Sequence, residues 1–195
     1  RRLVGSEMCI RDRDYIFHLA AQSLVRPSYE DPLTTFKVNS LGTAHILESA
    51  RSFSKKVNIV LITSDKSYDN IELERGYEET DVLGGKDPYS ASKGMAELVI
   101  KSYFHSFLKE NNLIRLAVTR AGNVIGGGDW ARDRIVPDCV RAWAEKKKPE
   151  IRNPDATRPW QHVLEPLGGY LLLGALLSEN DNFNGEAYNF GPAKD

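Results

Sequence analysis

Residues 57–63 (VNIVLIT) constrain the chain more than any other stretch. The run is nearly all apolar, rich in β-branched side chains, and almost free of polar alternation. A strand with one wet face alternates, whereas a continuous run of this kind predicts a central strand of a parallel sheet covered on both faces. The chain then turns polar at once, with Ser64, Asp65, Lys66, Ser67 and Tyr68. Open parallel sheets hold their ligands beyond the carboxyl ends of the strands, so hydroxyl, carboxylate and ammonium groups at that place read as a catalytic cluster. A solvated loop is the plainer alternative.

The remaining apolar segments suit the same sheet. Short strands are predicted at 15–19 (YIFHL), 113–119 (LIRLAVT) and 187–190 (AYNF), the second in a less buried place because of Arg115. Helices are predicted from Asp31-Pro32 through Ser52, where Phe36, Leu41, Ile46, Leu47 and Ala50 recur at helical spacing, and over 135–146 and 163–178. Arg26, Pro27, Ser28 and Tyr29 read as a loop. Strands alternating with helices predict an open α/β fold with a parallel sheet.

Composition narrows the function classes. A chain of 195 residues suffices for one domain with a real core. With 26 Lys+Arg against 27 Asp+Glu the net charge is -1, which gives no reason to expect nucleic acid or an anionic membrane as partner. Cys9 and Cys139 form no spaced cluster, so no metal site is implied. The apolar run 171–177 is broken by Gly174 and too short to span a bilayer; with no signal peptide visible, the expectation is a cytoplasmic protein. Residues 1–13 (RRLVGSEMCIRDR) have neither helical nor strand periodicity and read as a non-native or divergent lead-in, and the chain as a whole reads as a fragment.

In the stretch DPYSASKGMAE, Pro88 suits the first turn of a helix, which places Tyr89 and Lys93 one turn apart on one face. An ammonium near a phenol favours the phenolate, so Tyr89 is a candidate base. Y-x-x-x-K alone is a weak signal; following a buried strand and its polar cluster it is a stronger one. Ala20, Ala21 and Gln22 follow the first strand, small enough at the first two positions for a ligand to approach the backbone. His18, inside that strand, reads as a packed histidine. Asn39 interrupts the apolar face of its helix, either to meet a cofactor or to tether a neighbouring strand. Gly126, Gly127 and Gly128 fit neither a P-loop nor a dinucleotide fingerprint, and read as a pocket wall. The clusters with Trp130, Arg132 and Arg134, then Arg158, Trp160 and His162, offer guanidinium forks for phosphate and rings for packing. A salt-bridged surface loop is the competing reading of the first.

HLAAQSLV, TSDKSY, DPYSASK, RAGNVIGGGDWARDRIVPD and RPWQHVLEPLGGY together closely resemble the CDP-glucose 4,6-dehydratases, members of the extended short-chain dehydrogenase/reductase superfamily of NAD-dependent epimerases and dehydratases. The resemblance covers residues 14 to about 192. It implies a Rossmann-like doubly wound parallel sheet, forming a partial NAD-binding domain over 14–195, with 121–195 forming much of the substrate side in part of a small C-terminal lobe, and a first βαβ unit that precedes residue 14 and is missing. It implies NAD as cofactor and CDP-glucose as substrate, in a homodimer serving polysaccharide biosynthesis. Tyr89 is then the base for the sugar O4, Lys93 lowers its pKa and meets the nicotinamide ribose, and Ser64 orients O4. Asp65 resembles the acid for the departing 6-hydroxyl and Lys66 the C5 base. Ala20, Ala21, Gln22 and Asn39 lie along NAD. Asn123, Trp130, Arg132, Arg134, Arg158, Trp160 and His162 lie on the sugar-nucleotide side. A nucleotide-sugar epimerase would share Tyr89 and Lys93 without needing Asp65 and Lys66. A catalytically silent assembly fragment is the alternative outside enzymes.

Overall fold

A computed structural model of the chain describes residues 13–192. Most of the expected lead-in, including Cys9, lies outside the described residues. In chain order the elements are β1 (Tyr15–His18), α1 (Val25–Glu30), α2 (Pro32–Phe36), α3 (Gly42–Ala50), β2 (Val57–Ile62), α4 (Pro88–Tyr103), β3 (Ile114–Ala121), β4 (Val124–Ile125), α5 (Ile135–Ala144), β5 (Gln161–His162), α6 (Leu164–Glu179) and β6 (Ala187–Phe190).

Four strands form one sheet in the order β1-β2-β3-β6, with every pair parallel. The apolar run 57–63 supplies β2, and its side chains divide by the two-residue period of a strand. Val57, Ile59 and Leu61 pack with Leu47 of α3, with Ile100 of α4, and with Phe104 and Leu108 just beyond it. Val60 and Ile62 face the other way, towards Tyr170, Leu173 and Leu177 of α6. Both faces are therefore covered, which explains why the run needs no polar positions. Ile59 and Leu61 are almost fully buried, and each such side chain contributes about 1.5–3 kcal/mol relative to exposure.

Three local expectations are corrected. The stretch 26–29 is not a loop but the body of α1; Pro27 falls in its first turn, where a missing N–H costs no helical bond, and the buried Ser28 hydroxyl donates to the Val25 carbonyl at 2.6 Å. The helix from Pro32 is not continuous, because a π-helical turn, Lys37–Leu41, separates α2 from α3 and buries both Asn39 and Ser40. Arg115 does not mark a marginal strand, since β3 is central; its guanidinium donates to the Leu177 and Ser178 carbonyls at the end of α6 and pairs with Asp181.

The second, two-stranded sheet pairs β4 with β5 in parallel and rests on no sequence signal, both strands being two residues long. It ties the segment after β3 to the entry of α6. Among the described residues no helix is long and apolar enough to cross a membrane.

Candidate active site

The site is assembled where β2 and α4 begin and end beside one another. Leaving β2, Ser64 is extended and caps a 3₁₀ turn, Asp65–Ser67, its hydroxyl accepting from the Lys66 amide at 3.2 Å and lying 3.0 Å from the Asp65 carboxylate. α4 starts where it does because Asp87 caps it: one carboxylate oxygen accepts from the Ser90 amide at 3.0 Å, the other from the Ser90 hydroxyl at 2.6 Å. Pro88 follows at the first helical position, as its fixed φ favours. Tyr89 and Lys93 come out one turn apart and both buried. Gly94 is glycine for a nearby reason, since a Cβ there would sit 2.6 Å from the Gly84 carbonyl oxygen. The loop carrying Gly84 donates in turn to the Ser67 carbonyl at 2.8 Å.

Burial pushes the Tyr89 phenol up; Ser64, as a hydrogen-bonding neighbour, draws it down, Asp65 pushes it up and Arg134 draws it down. The expected lowering of this pKa by Lys93 is not what the structure shows. Burial dominates, and Lys93 is itself brought down to about 8 by desolvation, against the opposing charge of Glu97. The Lys93 ammonium makes no hydrogen bond among the described residues. His18 is held below its ordinary value by burial first and then by the charge of Lys93, with the Thr43 hydroxyl 3.4 Å from Nε2. A positively charged histidine at this place would be disfavoured twice, consistent with a packed role.

Both readings of Asn39 bear on one contact set. Its Oδ1 accepts from the Gln22 amide at 2.8 Å, while Nδ2 donates to the Gln22 carbonyl at 3.0 Å and to the Ser92 hydroxyl at 2.8 Å. It therefore tethers the segment after β1 to α4. The Gln22 side chain is also fixed, donating to the Thr35 hydroxyl at 2.9 Å. Ala20 is exposed and Ala21 partly so at the carboxyl end of β1.

The later candidates gather less tightly. Asn123 meets the second cluster through its carbonyl, which accepts from the Gln161 amide at 3.1 Å, and β5 then carries His162. Arg158, Trp160 and His162 are exposed, as are Trp130 and Arg132. Arg134 lies nearer the centre: it pairs loosely with Asp129 at 3.6 Å and donates weakly to the Ser23 carbonyl at 3.4 Å, and its buried Nε has no hydrogen-bond partner among the described residues. The 129–134 loop is thus salt-bridged, and Asp133, at φ 63°, also binds Arg26 and Arg152. Gly122 sets Asp65 close to this side, since a Cβ on it would meet Pro159 and lie 3.5 Å from the Asp65 carboxylate.

Behind the turn lies a network that the sequence reading missed. Glu97 and Arg120 are almost fully buried and paired in a fork, Nε to Oε1 at 2.7 Å and Nη2 to Oε2 at 2.6 Å. The signal was present, because each is a lone ionisable residue inside an otherwise apolar or small-residue stretch. Among the described residues no group of three or more His, Cys, Asp or Glu side chains could hold a metal ion.

The profile of one family, described as GDP-mannose 4,6 dehydratase, matches residues 7–188. The chain belongs to this family. Among individual members, the CDP-glucose 4,6-dehydratase of Salmonella typhimurium is 50% identical over 184 residues, covering 92% of this chain and 51% of that protein. The fold of the 4,6-dehydratase family also appears in solved structures of lower identity. DesIV, a dTDP-glucose 4,6-dehydratase from Streptomyces venezuelae solved with NAD and TYD bound, superposes with a TM-score of 0.79 at 24% identity, over 97% of this chain and 54% of that one. A UDP-glucuronic acid 4-epimerase from Bacillus cereus, in complex with UDP-glucuronic acid and NAD, gives 0.80 at 22%, over 95% and 56%. The chain therefore spans about half the length of the relatives it matches.

Proposed function

We propose that the chain carries the acid–base machinery of an NAD-dependent sugar-nucleotide 4,6-dehydratase that converts CDP-glucose to CDP-4-keto-6-deoxyglucose. One observation carries the reading. The Tyr89 phenol, Ser64 and Asp65 interact at the end of β2, in a chain 50% identical to the Salmonella typhimurium CDP-glucose enzyme. An epimerase needs the first two groups; a carboxyl at Asp65 to give a proton and an amine on Lys66, next in the turn, to take one suit an elimination.

NAD fits the residues present. The Lys93 side chain is largely buried and its ammonium has no acceptor among the described residues, which ribose hydroxyls would supply, and Asn39 fixes Gln22 where a cofactor would lie. When bound, NAD supplies the chemistry of accepting a hydride from C4 and returning it to C6.

The residues of the chain do the rest. Tyr89 takes the proton from O4 as the hydride leaves C4, with Ser64 holding the oxygen in place. Its high intrinsic pKa in this burial means that the phenolate forms only with help, from Ser64, from Arg134 and from the ammonium at Lys93 once the site is filled. The 4-keto group acidifies C5; Lys66, as the free amine, removes that proton, and Asp65, as the carboxylic acid, protonates the 6-hydroxyl, which departs as water. Hydride return to C6 is matched by return of a proton to C5. Short reach is what such transfers require, and the 3₁₀ turn sets both groups within two residues of Ser64. Asn123, Trp130, Arg132, Arg134, Arg158, Trp160 and His162 hold the nucleotide and sugar, within the part of the chain from 121 onward.

We also infer a cytoplasmic homodimer. α4 turns Met95 and Leu98 outward beside Ala44, Val99 and Tyr103, an open apolar groove of about 360 Å³. The function is tested by supplying the intact protein with CDP-glucose and NAD+. A 4-keto-6-deoxy product is expected, lost on Tyr89→Phe with folding intact; a C4 epimer alone would overturn the dehydratase reading.

A further inference from the structure

We propose that the buried Glu97–Arg120 pair positions the Ser64–Lys66 turn, and that Glu97 is the residue through which β2, β3 and α4 set the geometry of the acid–base groups. The inference rests on the dehydratase reading only for its kinetic consequence.

The contacts converge on one oxygen. Glu97 Oε1 accepts from the Thr63 hydroxyl at 2.6 Å, from Arg120 Nε at 2.7 Å and from the Ser67 hydroxyl at 3.2 Å. Thr63 immediately precedes Ser64, and Ser67 closes the turn, so the carboxylate grips the turn at both ends. Each hydroxyl has one proton. That of Thr63 goes to Glu97, because its other acceptor, the Thr119 carbonyl, is farther at 3.1 Å. That of Ser67 goes chiefly to the Ser64 carbonyl at 2.7 Å, which leaves its 3.2 Å contact with Glu97 the weaker hold and Thr63 the main one. Charge-assisted bonds of this kind are short and directional, and inside the protein they fix one geometry.

Arg120 holds the carboxylate from the opposite side. Beyond its fork on Glu97, Nη1 donates to the Tyr68 hydroxyl at 2.7 Å and to the Glu79 carbonyl at 3.0 Å, with the guanidinium 4.8 Å over the Tyr68 ring. Tyr68 then donates to Asn189 on β6 at 2.7 Å. The residues that flank the catalytic turn, Thr63 before it and Ser67 and Tyr68 after it, are thus all bound to the pair. A buried ion pair is weak evidence for stability, because desolvation offsets its attraction. Its retention directly behind a reactive turn is explained by positioning. Neither residue touches a reacting atom, so both are positioning residues.

The test compares the intact wild-type protein with Thr63→Val, which removes the shortest tether at nearly constant volume, and with the double variant Glu97→Leu/Arg120→Met, which leaves no unpaired buried charge. Hydrogen exchange of the Lys66, Ser67 and Tyr68 amides is expected to quicken by about tenfold or more in both, while the amides of β2 and the middle of α4 stay as protected as before. With CDP-glucose and NAD+, reduced nicotinamide should accumulate during turnover, because elimination lags the first oxidation, and KM should move by no more than about twofold. Unchanged exchange at the turn would overturn the inference. So would uniformly faster exchange through β2 and α4, which is the mark of a merely structural pair. If the wild type forms no 4-keto-6-deoxy product, the dehydratase reading fails and the exchange comparison still decides this one.

Discussion

Lys93 illustrates what a single side chain costs and what it gives. An ammonium 6% exposed, beside His18 and one turn from Glu97, is drawn from 10.5 to about 8, chiefly by desolvation. Between those two values the unfolded chain still holds the proton that the folded chain has lost. Stability therefore rises with pH across that window, and below about 8 the whole cost of burying the charge is borne. Lys93→Met should remove that cost and stabilise the protein at pH 7 by about 1–3 kcal/mol. Turnover should be abolished by the same change. Thermal unfolding at pH 7 and at pH 10 checks both the sign and the window, since the gain should shrink at the higher pH. A destabilised Lys93→Met would mean that the stem of the lysine packs better than its head is penalised.

At the scale of elements, the π-helical turn Lys37–Leu41 does the least visible and most specific work. Such bulges occur often at functional sites, and here one aims Asn39 and Ser40 together into the space between β1 and α4. Ser40 donates to the Ser92 carbonyl at 3.0 Å, beside the three bonds of Asn39. Asn39→Ala leaves the Gln22 amide and carbonyl and the Ser92 hydroxyl without this partner, so a loss of about 1–3 kcal/mol is expected. The KM for NAD+ should rise by about tenfold, the equivalent of 1.4 kcal/mol, with a smaller change for the sugar nucleotide; steady-state kinetics with each substrate varied in turn separates the two. How far sequence reaches is clearest here. The apolar period through Phe36, Leu41, Ile46, Leu47 and Ala50 shows that a helix exists, but one inserted residue in its winding leaves almost no trace in that period. β2 was legible because burial on two faces demands an unbroken apolar run, and the start of α4 because Asp87 and Pro88 are local signals. Glu97 and Arg120 were not read as a unit, because their partnership is made by the sheet across 23 residues of chain. That Tyr89 is raised in this structure rather than brought down by Lys93 has a related reason: spacing reports proximity on a helix, whereas burial, which decides the sign here, is a property of the packed whole.

Over the whole molecule, one run of exposed apolar side chains also lines a groove, on the outer face of α4. Leu98 is 57% exposed and Met95 45%, and they share the groove with Ala44, Val99 and Tyr103, on a chain whose net charge is close to zero. Large apolar side chains grouped in this way mark contact surfaces. For the homodimer inferred above, Leu98→Glu should convert the intact protein to monomers in sedimentation velocity while leaving its circular dichroism unchanged. An unaltered sedimentation coefficient in a dimeric protein would place the contact elsewhere.

The strands of the main sheet stand side by side in the order in which they occur along the chain. During synthesis, β2, β3 and β6 can therefore each join the edge left by the described strand before it. β6 is the last of the four to arrive, and it carries Asn189, which accepts from Tyr68 and donates to the Tyr77 carbonyl at 2.9 Å. A nascent chain halted before β6 would thus hold β1, β2 and β3 side by side while the Tyr68 hydroxyl behind the reactive turn still lacked its Asn189 acceptor. Pairing of these strands and completion of the network behind the site are therefore two separate moments, and the second waits on β6.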